Sequence, residues 1–147
     1  MPMNANKPFV DDYLAYLLAR SSKLVSEQFH AKVKAAGVSV NYWRILASLS
    51  DADGLTLKQL NQRVLFNQPT LSKLITRMVA EGLLERHQDK QDKRAILIFI
   101  SALGRDLVND LLHEAKWHES EVLADYSSEQ QALMKGMLRQ LINTLES

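Results

Sequence analysis

The chain has 147 residues, 46% hydrophobic and 24% charged, the size and balance of one globular unit with a core of its own. The absence of cysteine excludes a disulfide framework, a thiolate zinc site and a thiol redox sensor. No run approaches the roughly 18 apolar residues of a membrane span, and the start MPMNANKPFV lacks the regions of a signal peptide, so a cytoplasmic location is expected.

Residues 11–36 predict a long helix with Tyr13, Leu14, Leu17, Leu18, Leu24, Val25 and Phe29 as its apolar positions and Gly37 as its stop. Ser39 is placed to cap a second helix that turns Trp43, Ile45, Leu46 and Leu49 inward and closes in the turn Asp51-Ala52-Asp53-Gly54. Thr56 with Gln59 reads as a capping box for a third helix, whose inward side is Leu57, Leu60 and Val64. A turn through Leu65, Phe66 and Asn67 leads to Pro69, suited to the first turn of a fourth helix.

That fourth helix separates into two faces. Leu71, Leu74, Ile75 and Met78 follow the spacing of a buried stripe, whereas Lys73, Thr76 and Arg77 point the other way. Gly82 ends it. Leu83–His87 and Ala95–Ile100 then read as two strands joined by a polar tip over residues 88–94. Ser101 is placed to cap a fifth helix carrying Leu103, Leu107, Leu111, Ala115, Val122 and Leu123. Ser128 with Gln131 reads as the capping box of a sixth, in which Leu133, Met134, Met137, Leu138, Leu141, Ile142 and Leu145 recur at three- and four-residue steps.

Two short helices followed by a charged β-ribbon are the layout of a winged helix-turn-helix. An outer helix face with one Lys, one Arg and short hydroxyl side chains suits the DNA major groove, where Arg and Lys read guanine. The net charge of +1 conceals an asymmetry: residues 56–100 hold eight Lys or Arg against four acids, a local +4, while residues 101–147 hold four against eight, a local −4. Phosphate is attracted to the middle and repelled by the end. The apolar surface of the last helix exceeds what a lone terminal helix can bury, so it and the N-terminal helix are expected to cover one another across the two-fold axis of a homodimer.

Four stretches carry a resemblance over nearly the whole chain: Gly37–Leu46, Gln68–Ile75, Met78–Arg86, and Asp89–Arg94 followed by Ser101-Ala102-Leu103-Gly104. With these the sequence resembles the MarR family of bacterial transcription regulators. Family wings often run Asp-x-Arg-Asp-x-Arg, and Asp89, Asp92 and Arg94 match, as does the Ser-x-x-Gly after the second strand. Gln91 stands where the family usually places an arginine, with Lys90 or Lys93 as its substitute; lysine lacks the planar guanidinium fork.

The resemblance implies a mainly α fold with a small β-wing. The whole chain, 1–147, is then one unit, with a winged helix-turn-helix DNA-binding lobe at 38–100 and a helical dimerisation lobe at 9–37 and 101–147. It implies an obligate homodimer on a near-palindromic operator of double-stranded DNA, and in many members repression relieved by a small ligand. The expected DNA-facing set is Lys58, Gln68, Pro69, Thr70, Ser72, Lys73, Thr76, Arg77, Lys90, Gln91, Lys93 and Arg94. For Arg94 the alternative is a brace of the ribbon through Asp89 or Asp92.

Trp43-Arg44 resembles a pair found in family members linked to aromatic acids, and a guanidinium can hold a carboxylate bidentately. Tyr16, His30 and Tyr42 join Trp43 and Arg44 as candidate ligand residues, against the plainer reading of Trp43 as core and Arg44 as surface. The expected dimer interface holds Phe9, Tyr13, Leu133, Met137, Leu138, Leu141 and Leu145. No metal or cofactor is expected: His113 and His118 stand five residues apart, on diverging helix faces. No enzyme is expected either, since the sequence has no phosphate-binding glycine loop, cysteine nucleophile or Gly-x-Ser-x-Gly elbow. The competing reading is a winged-helix protein-interaction module without sequence-specific DNA binding.

Overall fold

The computed structural model describes residues 6, 8–52 and 54–147; Asp53 of the expected turn and most of the first seven residues lie outside the described residues. A short 3-10 helix, Phe9–Asp12, precedes α1 (Leu14–Ala35), α2 (Val40–Ser50), α3 (Leu57–Val64), α4 (Gln68–Ala80), β1 (Leu84–Gln88), β2 (Ile96–Ile100), α5 (Ala102–Val122) and α6 (Ser128–Glu146). The chain divides into two compact units, Met1–His113 and Glu114–Ser147. Among the described residues no helix is long and apolar enough to cross a membrane.

Local chemistry accounts for most of the boundaries. Ser39 accepts from the Tyr42 N–H at the start of α2, and Thr56 and Gln59 cap α3 reciprocally. Asn67 accepts from the Thr70 N–H at the start of α4, one residue before the Gln68-Pro69 opening. The first helix begins later than its periodicity suggests, because Tyr13 is extended between the 3-10 turn and α1. Between α3 and α4 the chain turns through Leu65, whose φ of 62° is the left-handed conformation.

The core of the first unit gathers Ile45, Leu46 and Leu49 of α2, Leu60 and Val64 of α3, Leu71, Ile75 and Met78 of α4, and Leu84 and Ile98 of the ribbon, with Val108 of α5. All are at least nine-tenths buried. The strands pair antiparallel with Leu84 opposite Ile100 and Gln88 opposite Ile96. A third edge comes from Leu55, which exchanges two backbone hydrogen bonds with Ile98, at 3.0 and 2.7 Å. Arg105 of α5 donates to the Ser50 carbonyl at 3.0 Å and so satisfies the end of α2.

In α5 the buried positions of this unit are Gly104, Val108 and Leu111, while Leu103 and Leu107 are exposed. Ser101 joins the ribbon to this helix: its hydroxyl donates to the Gly82 carbonyl at 2.6 Å and accepts from the Gly104 N–H at 3.0 Å. A side chain at Gly104 is excluded by space, since a Cβ there would stand 2.3 Å from the Leu83 carbonyl oxygen.

The second unit holds the end of α5 and α6. Its capping box is Ser127 with Gln130, one residue earlier than Ser128 with Gln131. The tract Ser127-Ser128-Glu129-Gln130-Gln131 permits both registers; the second is excluded because the Gln131 amide donates instead to the carbonyls of Leu123 and Tyr126, at 3.1 and 3.0 Å. Lys135 pairs with Glu119 at 2.9 Å.

Candidate nucleic-acid interface

Burial of Leu71, Ile75 and Met78 fixes which side of α4 is left outward. Gln68, Pro69, Thr70, Lys73, Thr76 and Arg77 are exposed there and Ser72 is half-buried, with no acid on the helix before its C-cap, Glu81. Pro69 supplies no N–H in the first turn, where none has a helical partner, and Asn67 has taken the Thr70 N–H. Lys58, on α3, is exposed as well.

Thr76 is tied more closely than its sequence position suggests. Its hydroxyl donates to the Ser72 carbonyl at 3.0 Å and accepts from Arg86 of β1 at 2.9 Å. Thr76 therefore positions the helix against the ribbon, with its one proton already committed. Arg86, exposed on β1, was absent from the sequence-based set because only the fold brings it beside α4, ten residues back.

The ribbon tip is built on two aspartates. Asp89 Oδ1 accepts from the Gln91 N–H and Asp92 Oδ1 from the Arg94 N–H, each at 3.0 Å. These side-chain turns hold the loop without using cations. The bracing role considered for the Arg94 side chain is thereby corrected: the brace is the Arg94 backbone N–H, and among the described residues its guanidinium makes no ion pair. Lys90, Gln91, Lys93 and Arg94 are all exposed.

The five candidate ligand residues fall into three places. Trp43 is half-buried and packs edge-on against Phe29, ring centroids 5.0 Å apart, while Arg44 is exposed with its guanidinium 5.9 Å from the Phe66 ring centre. His30 stands near Arg44: burial first, then the charges of Arg44 and Lys34, hold its imidazole below the ordinary value of 6.5. Tyr16 lies fourteen residues before His30 on α1, roughly 21 Å along the axis, where its hydroxyl accepts from Arg20 at 2.8 Å. Tyr42 turns to α4 and donates to Glu81 at 2.9 Å. Arg44 thus lies close enough to His30 for its charge to act on the imidazole, Trp43 packs on Phe29, and the hydroxyls of Tyr16 and Tyr42 are directed elsewhere.

Apolar residues expected at an interface are left uncovered in the single chain. Phe9 and Tyr13 stack at 4.9 Å and are exposed, as are Leu133, Met137, Leu138 and Leu145 of α6, with Leu141 half-buried. Among the described residues no three His, Asp or Glu side chains cluster to hold a metal.

The chain is similar to known proteins over most of its length. The model of the MarR family matches residues 36–95. The crystal structure of a MarR-family transcriptional regulator from Silicibacter pomeroyi DSS-3 is 34% identical, covers 95% of this chain and 99% of its own, and superposes with a TM-score of 0.82. NadR in complex with 4-hydroxyphenylacetate is 21% identical, with 96% and 97% coverage and a TM-score of 0.81. The homoprotocatechuate degradative operon repressor of Escherichia coli is 23% identical over 131 residues, 89% of this chain and 88% of the relative.

Proposed function

Because the chain belongs to the MarR family, whose members are transcription regulators and not enzymes, we propose that it acts as a homodimer on a near-palindromic DNA operator, as a repressor released by a small aromatic carboxylate. The observation that carries the DNA reading is the outward side of α4, where Lys73 and Arg77 are exposed and no acid intervenes before Glu81. Each α4 would enter a major groove, with half-sites about one helical turn, roughly 34 Å, apart. Gln68, Thr70 and Ser72 would read or position beside Lys73 and Arg77, and Thr76 would position alone. The exposed tip residues Lys90, Lys93 and Arg94 add positive charge for the phosphate backbone, with Gln91 offering only an amide. The exposed apolar rows of α6 and the stacked Phe9 and Tyr13 would be covered by the second protomer.

Selection of bound duplexes from a random pool at near-physiological salt tests this. An inverted repeat with half-site centres about ten base pairs apart is expected. Retention without a repeat would refute sequence-specific dimer binding, and no retention would favour the protein-interaction role. On the selected duplex, Arg77→Ala is expected to weaken binding by about 1–3 kcal/mol and to relax the preference at one position in each half-site.

The ligand part rests on Arg44 and His30, a cation close to an imidazole, with Trp43 beside Arg44 in sequence and packed on Phe29, and on the two similar proteins named above with aromatic acids. The Arg44 guanidinium, exposed over Phe66, is free to pair with a carboxylate. Titration with 4-hydroxyphenylacetate by calorimetry is expected to show binding that Arg44→Ala abolishes, and addition of the acid to weaken the DNA complex. Binding unaffected by Arg44→Ala would remove this site.

A further inference from the structure

We propose that Tyr42 is a positioning residue for DNA binding, holding the Glu81 carboxylate away from Arg77. The inference rests on the reading of α4 as the DNA-reading helix. Glu81 follows Arg77 by four residues, the spacing at which side chains on a helix meet. An acid at that distance would, left to itself, neutralise the one arginine of the outward face. The structure shows no such pair: among the described residues Arg77 makes no ion pair. Glu81 Oε1 instead accepts from the Tyr42 hydroxyl at 2.9 Å, a donor that comes from α2, 39 residues earlier.

The arrangement compensates a position that α4 itself does not support. Glu81 is the C-cap of the helix, where the exposed carbonyls make a carboxylate unfavourable, and Arg before Glu is the weaker order of a four-residue pair. A neutral donor from another helix satisfies the carboxylate in place of an ion pair, and Arg77 itself reaches the same phenol rather than Glu81. Tyr42 is itself anchored, since its backbone N–H donates to Ser39 at 3.1 Å and its ring packs against the core of the first unit. Tyr42, Arg77 and Glu81 line one cavity of about 400 Å³ with Ser39 and Leu83, so a released carboxylate has Arg77 within its reach. Burial first, and then Glu81, push the phenol up from its ordinary value of 10.0 against an opposing pull from Arg77, so the donor keeps its proton at neutral pH.

The test uses the duplex that the wild-type chain enriches from a random pool, with binding read by fluorescence anisotropy across a salt series. Tyr42→Phe removes the donor and should weaken binding roughly two- to five-fold, with a shallower salt dependence. Tyr42→Phe combined with Glu81→Gln removes the competing charge as well and should restore wild-type affinity. Glu81→Gln alone should bind at least as tightly as wild type. Thermal melts of each variant report whether the fold survives. Wild-type affinity in Tyr42→Phe, a double variant as weak as the single one, or weaker binding by Glu81→Gln would each overturn the proposal. The Glu81→Gln arm, which leaves Tyr42 in place, keeps it open to refutation even where Tyr42→Phe fails to fold. A wild-type chain that enriches no duplex would refute the DNA reading and this inference with it, whereas an enriched duplex unaffected by the Tyr42 change refutes this inference alone.

Discussion

Gly104→Ala is expected to destabilise the chain by steric conflict alone. The new methyl would stand 2.3 Å from the Leu83 oxygen and 3.0 Å from Ile100 Cγ1. Neither the helix nor the carbonyl is free to yield. Leu83 O accepts from the Ser101 N–H at 3.0 Å, and Ser101 Oγ holds the Gly104 N–H. Relieving the contact means moving α5 away from the ribbon by about an ångström, and overpacking of this kind costs about 1–3 kcal/mol. The higher helix propensity of alanine returns less than about 1 kcal/mol in the first turn.

A fall in Tm of roughly 3–12 °C is therefore expected in a calorimetric scan. Gly37→Ala is the control, because its φ of +81° is left-handed while a Cβ there meets nothing within 4 Å. Its cost should be conformational, about 1–2 kcal/mol. The two also differ in remedy: Leu83→Ala does not touch the obstructing backbone oxygen and should not rescue Gly104→Ala. An unchanged Tm for Gly104→Ala would refute the packing argument.

Leu65→Gly should stabilise the fold by about 0.5–1 kcal/mol, since a left-handed leucine costs about 1–2 kcal/mol and glycine returns part of that as unfolded-chain entropy. Leu65 is 86% exposed, so almost no packing is lost; a lower urea midpoint would contradict this. The lowered pKa of His30 means that the unfolded chain takes up its proton first, so this residue makes stability rise with pH in the window just below 6.5 and level off above it. His30→Gln should flatten that part of the stability profile relative to wild type, and an unchanged slope would show that the imidazole is not perturbed. Arg94→Ala should lower the salt slope of duplex binding by about one while leaving the Tm unchanged, because the bond to Asp92 uses the backbone. A fall in Tm with an unchanged slope would return Arg94 to a bracing role.

What the sequence discloses here is what depends on near neighbours. The Thr56 box, the Ser39 cap and the buried row Leu71, Ile75, Met78 are decided within a few residues, and each stands where the sequence indicated. The sixth helix was displaced by one residue because two serines precede two glutamines, and only the bonds of Gln131 to Leu123 and Tyr126 choose between them. The Leu55 bridge, the Arg86 bond to Thr76 and the Tyr42 bond to Glu81 leave no periodic or capping signal at all. They depend on where whole helices come to rest, so the sequence alone gives no sign of the role of Arg86 and sets Tyr42 beside its neighbour Trp43.

The wing shows how a charge count can be right in sum and incomplete in meaning. Along the sequence, Asp89 and Asp92 offset Lys90, Lys93 and Arg94 and leave the tip nearly neutral. In the fold both carboxylates accept backbone N–H groups of their own loop, which satisfies an oxygen of each without drawing on a lysine or arginine. The same division occurs at the end of α4, where Glu81 is held by a phenol rather than by Arg77. In each case a neutral donor engages the acid and leaves the cation exposed. An anionic partner would therefore meet cations with no ion pair to break first, which favours fast, salt-sensitive association. The absence of ion pairs at these cations among the described residues, together with the local excess of +4 over residues 56–100, is what suits this surface to phosphate.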